Sequence, residues 1–302
     1  MLLNISILIV TRNQRGSVLR CLEILLDKPT ARTFEVLLYD NASADHTVKA
    51  VLQKFPWVKV FAGGENVGFA QAANRLFSYA QGEHCLLLNP DVEMTPETIE
   101  QLCQYLQTHP RVGIVGPRLQ SPAGRWEVFI GRFPTPGERL REFLFLNRLF
   151  SNTEPPAGPV DWLAGTVMLF PRDLAHQLGP FDEQFFLYFE DVDLCRRVWA
   201  ADREVHYLPE AVATHEERAG RWFSSRYFSA AKITAYSRSE ILYFRKWWPS
   251  AEGWVRGVLL LRSLLRGLAW VFLGLLGLGG PRKAVGERVK GYWISTKIAL
   301  MG

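Results

Sequence analysis

The chain has 302 residues, 48% of them hydrophobic, enough to bury a sizeable core and too apolar for a globally disordered protein. Its formal charge of +5 is unevenly placed: between Gly253 and Gly302 eight Lys or Arg face one acid, Glu287, so the preceding body is slightly acidic and nucleic acid is not the expected partner. The cysteines, Cys21, Cys85, Cys103 and Cys195, form no Cys-x-x-Cys pair, which points to buried thiols in a reducing compartment and away from a disulfide or zinc framework. The start, Met-Leu-Leu-Asn, lacks the charged segment and cleavage site of a signal peptide, so a cytoplasmic body is expected.

The first half alternates short apolar runs with helical periodicity. Ile5–Val10 reads as a strand ending at Thr11-Arg12-Asn13, and Val18–Leu26 as a helix. Glu35–Tyr39 is a second strand ending at Asp40-Asn41, followed by a helix over Thr47–Phe55. Val58–Phe61 leads into Gly63-Gly64, and Asn66–Tyr79 is helical with Gly68 near its start. His84–Leu88 ends at Asn89-Pro90-Asp91, and Thr95 caps a helix over Pro96–Gln107. This alternation predicts an α/β fold with a mostly parallel sheet and helices on both faces.

The second half is mixed. Arg125–Pro136 and Ser151–Pro159, rich in Pro, Gly and polar residues, read as mobile loops around a short helix. Trp162–Phe170 reads as a strand, Glu190–Ala201 as a helix and Val205–Leu208 as a closing strand. A domain of residues 1–245 is expected, followed by a basic, apolar helical tail over 246–302. Within that tail Trp254–Leu278 is rich in Leu, and Arg256, Arg262 and Arg266 fall on one stripe of a helix. The favoured expectation is attachment to an anionic membrane surface, at the inner face of the cell membrane; packing on the body or on a second subunit is the alternative. The uncharged run Gly267–Gly280 is shorter than the ~20 residues of a spanning helix.

Thr11, Asp40 and the Asn89–Asp91 group all follow the carboxyl ends of predicted strands, the edge where open α/β sheets bind ligands. Acids there would repel a diphosphate unless a cation stood between, and Asp91 with a later His would suit Mg²⁺ or Mn²⁺. Asp45 is read instead as a helix-cap acid. From Phe181 to Asp193 five carboxylates lie among aromatic residues at a helix start; a carboxylate in a partly dry pocket has a raised pKa and serves as a general base, and Asp191 is the candidate. His215 follows this cluster at the start of a loop, in Ala213-Thr214-His215-Glu216-Glu217.

Six segments, in order, resemble the family 2 glycosyltransferases of the GT-A fold, and within them the rhamnosyltransferase-like branch that builds bacterial surface polysaccharides. They are Ser6–Asn13, Tyr39–Asp45, Asn66–Ala70, Leu88–Val92, Trp162–Gly165 and Phe189–Leu194. The resemblance, which runs from Asn4 to about Tyr243, implies that Thr11 and Asp40 hold the nucleoside, with Asn66, Gly68 and Asn89 lining the nucleotide-sugar pocket. It implies that Asp91 and His215 bind the metal, that Asp191 is the catalytic base with Glu190 beside it, and that Gly165 lies where a side chain would obstruct the acceptor. Asn89 replaces the first acid of the family's Asp-x-Asp motif, Arg12 a usual Tyr and Asp202 a common turn Gly.

The implied activity is inverting transfer from a nucleoside-diphosphate sugar, thymidine diphosphate rhamnose first and uridine diphosphate sugars next, to a glycan or lipid-linked glycan. A non-catalytic nucleotide-sugar-binding module is the rival. A nicotinamide-dependent enzyme is disfavoured because the first turn, Thr11–Gly16, lacks Gly-x-Gly-x-x-Gly, and a serine hydrolase because no Gly-x-Ser-x-Gly elbow occurs.

Overall fold

The computed structural model describes residues 4–26, 33–143, 154–216, 229–278 and 281–301. They divide into two compact units. The first draws on Met1–Phe133, Thr153–Glu183 and Glu190–Ala219, the second on Pro134–Asn152, Gln184–Phe189 and Gly220–Gly302.

The first unit begins with three strand–helix repeats: β1 (Ile5–Thr11), α1 (Arg15–Leu25), β2 (Phe34–Asp40), α2 (Thr47–Lys54), β3 (Lys59–Ala62) and α3 (Phe69–Phe77). Then follow β4 (His84–Leu88), β5 (Val92–Glu93), α4 (Pro96–Thr108) and β6 (Val112–Gln120). Strands β3, β2, β1 and β4 lie side by side and parallel. Because β1 alternates, Ile5, Ile7 and Ile9 face one apolar cluster with Val18 and Leu22 of α1 and Leu102 of α4. Leu8 faces the other, with Ala70, Ala73 and Leu76 of α3. Each fully buried Ile or Leu contributes about 1.5–3 kcal/mol, so both faces hold the sheet between helices.

Chain order reverses beside β1, since β2 and β3 lie on one side and β4 on the other. That switch point opens a crevice at the carboxyl ends of β1 and β4, where Thr11 and Asn89 stand.

The remaining elements are β7 (Ile130–Gly131), β8 (Gly158–Pro159), β9 (Trp162–Leu163), β10 (Val167–Pro171), α6 (Arg172–Leu178), α7 (Glu190–Ala200) and β11 (Glu204–His215). β10 enters antiparallel between β4 and β6, and β11 runs parallel to β6 and pairs antiparallel with β5 and β8. Three sequence expectations change here. The strand expected over Trp162–Phe170 breaks at Ala164–Thr166. The closing strand extends past Leu208 through an irregularity at Pro209, so His215 is its last residue and not the start of a loop. Arg125–Phe133 is not a free loop: β7 pairs with β9, the Phe133 N–H donates to Asp161 at 2.7 Å, and Trp162 Nε1 donates to the Arg132 carbonyl at 2.8 Å. In the other expected loop, residues 151–153 lie outside the described residues, as does Glu217.

The second unit comprises α5 (Pro136–Phe143), α8 (Ala230–Trp247), α9 (Glu252–Leu275) and α10 (Arg282–Leu300). The arginine stripe expected to face outward turns inward. Arg262 is buried in an ion pair with Glu240, which also binds Arg139 at 3.0 Å, and Arg256 pairs with Glu252 at 2.9 Å. A buried guanidinium without a carboxylate would be prohibitive, so the pairing decides which face of α9 packs. The opposite face, with Leu261, Leu265, Leu268, Phe272 and Leu275, is exposed.

Candidate active site

The first group of candidate residues is built on neighbouring strand termini. Thr11 and Asp40 are register partners on β1 and β2. Both are buried, at 1% and 4% exposure, and Thr11 Oγ1 and Asp40 Oδ1 have no hydrogen-bond partner. An unpaired buried oxygen costs about 1–3 kcal/mol, which a polar ligand donating into the crevice would recover. The other Asp40 oxygen accepts the Ser43 N–H at 3.0 Å and so fixes the turn after β2.

Asn66 and Gly68 are brought to the same place by Asn41, which by sequence is only a residue of the turn after β2. The buried Asn41 amide donates to the Gly68 carbonyl at 3.0 Å and accepts the Val67 N–H at 2.9 Å, while Asn66 Oδ1 accepts the Gly68 N–H at 3.2 Å. Gly68 sits at φ 88°, where a side chain would strain the backbone. Asp45 is not itself the cap of α2, a position His46 takes, but from one residue earlier it accepts the N–H groups of Arg15 at 3.0 Å and Thr47 at 3.2 Å, the first residues of α1 and α2.

At the other side of the crevice β5 and β11 bring Asp91 and His215 together, with His215 paired to Val92 in register. His215 Nε2 faces Asp91 Oδ2 at 3.5 Å, and Asp91 Oδ1 is buried without a partner. The far nitrogen, Nδ1, lies 2.9 Å from Glu127 Oε2. Burial pulls the His215 pKa down, but the carboxylates of Asp91 and Glu127 outweigh it and the net direction is upward. Among the described residues no group of three or more His, Cys, Asp or Glu is arranged to hold a metal; Asp91 and His215 are a pair. An oxygen-plus-imidazole pair with one orphaned buried carboxylate oxygen fits Mg²⁺ or Mn²⁺, which keep several positions for substrate phosphates and water.

The third group lies where the expected strand breaks. Asp191 opens α7, is 8% exposed, and accepts the Gly165 N–H at 2.9 Å on Oδ2 and the Val192 N–H at 2.8 Å on Oδ1. A Cβ on Gly165 would make only ordinary contacts, with Asp191 and Phe69. Gly165 acts here through its amide, which orients the carboxylate.

Burial raises the Asp191 pKa against those two amide bonds, and burial together with Asp191 raises that of Glu190 well above the usual range. Glu190 Oε2 has no partner, whereas both Asp191 oxygens accept backbone N–H groups, which favour the charged form of Asp191. Asp193, by contrast, is structural: fully buried, it pairs with Arg197 at 2.9 Å.

Asp191 and the Asp91–His215 pair are connected through the backbone. Gly165 binds Asp191, the next residue, Thr166, accepts the Asn89 N–H at 2.9 Å, and Asn89 lies two residues before Asp91. The Phe129 carbonyl also accepts the Ala164 N–H at 2.7 Å, and the Phe129 ring stands edge-on to His215 at 5.0 Å. Of the predicted residues, Thr11 with Asp40, Asn66 with Gly68, Asp91 with His215, and Gly165 with Asp191 are each joined in this way. Asn41 and Glu127 are additions.

Residues 6–170 match the model of glycosyl transferase family 2. The chain is 30% identical over 271 residues to an N-acetylglucosaminyl-diphospho-decaprenol L-rhamnosyltransferase of Mycobacterium tuberculosis, covering 80% of this chain and 85% of that one. It is 24% identical to rhamnosyltransferase WbbL of Escherichia coli K12, covering 70% and 83%. Among solved structures, the mannosyltransferase PcManGT of Pyrobaculum calidifontis, determined with GDP-Man and Mn²⁺, superposes with a TM-score of 0.55 at 16% identity over 99% of this chain and 87% of that one, a likeness of fold. Fold, site and family match converge on one assignment: the chain belongs to glycosyltransferase family 2 and has the GT-A fold.

Proposed function

We propose that the protein transfers a deoxyhexose, rhamnose first, from a nucleoside-diphosphate donor to a hydroxyl of a glycan or lipid-linked glycan, with inversion at the anomeric carbon. The observation that carries the reading is Asp191: a buried carboxylate held by two backbone N–H groups, with a raised pKa, tied through Thr166 to the Asn89–Asp91 turn. Rhamnose is supported by the names of both relatives, and a lipid-diphosphate acceptor by that of the mycobacterial one.

Thr11 and Asp40 would accept hydrogen bonds from the nucleoside, with the Asn66–Gly68 loop closing beside it. Asp91 and His215 would hold Mg²⁺ or Mn²⁺, whose bound charge would offset that on the diphosphate leaving group. Asp191 takes the proton of the acceptor hydroxyl as the oxygen attacks, and Glu190, neutral, keeps a second charge out of the pocket. No side chain is needed as a nucleophile, so one displacement inverts the centre. A binding module without turnover would not need a carboxylate so placed.

The exposed apolar face of α9 supports membrane contact. Pro249–Leu275 is long and apolar enough to cross a bilayer, and its most apolar 18-residue stretch has a mean hydropathy of 1.8. Its other face is occupied by ion pairs within its own unit, which favours lying at the surface of the inner leaflet over spanning it. Lys283, Lys290 and Lys297 on α10 are exposed and suit anionic headgroups.

The test is Asp191→Asn. General-base assistance is worth roughly 10²–10⁴ in rate, so transfer should fall by that factor while donor binding by calorimetry stays within a few fold. Near-normal turnover would refute the reading.

A further inference from the structure

His215 presents a choice that neither it nor Asp91 settles. An imidazole binds a cation only through a nitrogen without a proton, and a neutral ring has one such nitrogen. Glu127 makes the choice. A carboxylate accepts and does not donate, so its Oε2 at 2.9 Å keeps a proton on Nδ1 and leaves Nε2 to face Asp91. The Nε2–Asp91 separation of 3.5 Å is longer than the ~2.7–3.2 Å of a well-formed hydrogen bond.

Glu127 is itself held. Its N–H donates to the Leu119 carbonyl at 2.9 Å, Gln120 bridges Trp126, and the Ser121 N–H closes the turn on the Arg125 carbonyl at 2.8 Å. Its side chain is 8% exposed, Oε1 has no partner, and Oε2 meets the imidazole. Two residues on, the Phe129 ring at 80° to the imidazole limits its rotation. One hairpin thus sets both the tautomer and the ring plane of His215.

We propose that Glu127 is a positioning residue of the cation site, acting through His215 Nδ1 and not as a ligand; this rests on the reading of Asp91 and His215 as the cation's ligands. Such outer partners are worth about 10–100-fold in metal affinity. The experiment is Mn²⁺ titration by electron paramagnetic resonance with a nucleoside diphosphate present, on the full chain and on Glu127→Ala, Glu127→Gln and Asp91→Asn. Glu127→Ala should weaken Mn²⁺ binding about 10–100-fold. Glu127→Gln, whose amide oxygen can still accept from Nδ1, should stay within a few fold.

Wild-type binding lost in Asp91→Asn but unchanged in Glu127→Ala overturns this inference alone. Losses in both Glu127 variants as large as in Asp91→Asn make Glu127 a ligand and also overturn it. No Mn²⁺ binding by the wild type, or equal binding by Asp91→Asn, overturns the cation reading and the inference with it. Should Glu127→Ala not fold, ¹⁵N spectroscopy of His215 in the unaltered chain with Mg²⁺ decides. Protonated Nδ1 is expected; protonated Nε2 with a bare Nδ1 refutes the proposal.

Discussion

Replacing Asn41 by Ala should damage stability and donor affinity together, because one side chain serves both. Asn41 is 4% exposed and makes two buried hydrogen bonds, to the Gly68 carbonyl at 3.0 Å and from the Val67 N–H at 2.9 Å. Each is worth about 0.5–1.5 kcal/mol net, more when the abandoned group stays buried, so Asn41→Ala should cost about 2 kcal/mol. For a unit of this size that lowers Tm by about 4–8 °C.

The segment Asn66–Gly68 would then be ordered by the donor instead of before it arrives. Ordering one residue's backbone costs about 1–2 kcal/mol, so the nucleoside-diphosphate Kd should rise about tenfold. Asn41→Asp keeps the acceptor for Val67 but sets a carboxylate against the Gly68 carbonyl, and should be no better. Differential scanning fluorimetry and calorimetric titration read the two effects. An Asn41→Ala protein with unchanged Tm and unchanged donor Kd would refute the clamp.

Other expectations follow from the same geometry. Asp191 must be ionised to accept a proton and its pKa is raised, so kcat/KM should fall with falling pH along a limb above the ~3.9 of an ordinary aspartate; a limb at or below that value contradicts the account. Glu190 has a folded-state pKa above its unfolded one, so its contribution to stability is full below the ordinary glutamate range and lost as pH rises through and above it. Glu190→Gln, which cannot ionise, should therefore gain Tm relative to wild type over that rise and keep most of the transfer activity; a pH-independent difference argues otherwise. On α9, Leu268 and Phe272 are 67% and 62% exposed. Changing both to Glu should reduce flotation with anionic vesicles about 100-fold or more, from the ~1.5–3 kcal/mol each side chain gains on burial, and equal flotation would remove the membrane reading.

Much of the site was legible because its residues sit where local rules put them. Thr11, Asp40 and Asn89–Asp91 follow apolar runs whose alternation marks strands, and strand ends in such a sheet converge on one edge. Asp45 was legible as a turn acid before α2 for the same local reason, although His46 takes the cap position. At Asp202 the backbone is left-handed, φ 56°, a geometry Asp tolerates, as expected for a residue standing where glycine is common.

What escaped was set by contacts distant in sequence. Glu127 is 88 residues from His215, in a stretch whose Pro and Gly content reads as loose loop. The break after Leu163 could not be anticipated from an apolar run that continues to Phe170, because its reason is an amide aimed at Asp191, 26 residues later. Arg262 looked like one member of an outward stripe because periodicity reports which residues share a face, not which face finds a carboxylate.

The central claim is that Asp91 and His215 hold one divalent ion within the cavity served by Asp191. Anomalous diffraction from crystals grown with Mn²⁺ and a nucleoside diphosphate tests it most directly. The account predicts one strong peak bound by the Asp91 carboxylate and His215 Nε2, with the diphosphate on the peak's open side and Asp191 lining the same cavity. A peak away from those two side chains, or a diphosphate bound on another face of the sheet, would contradict it.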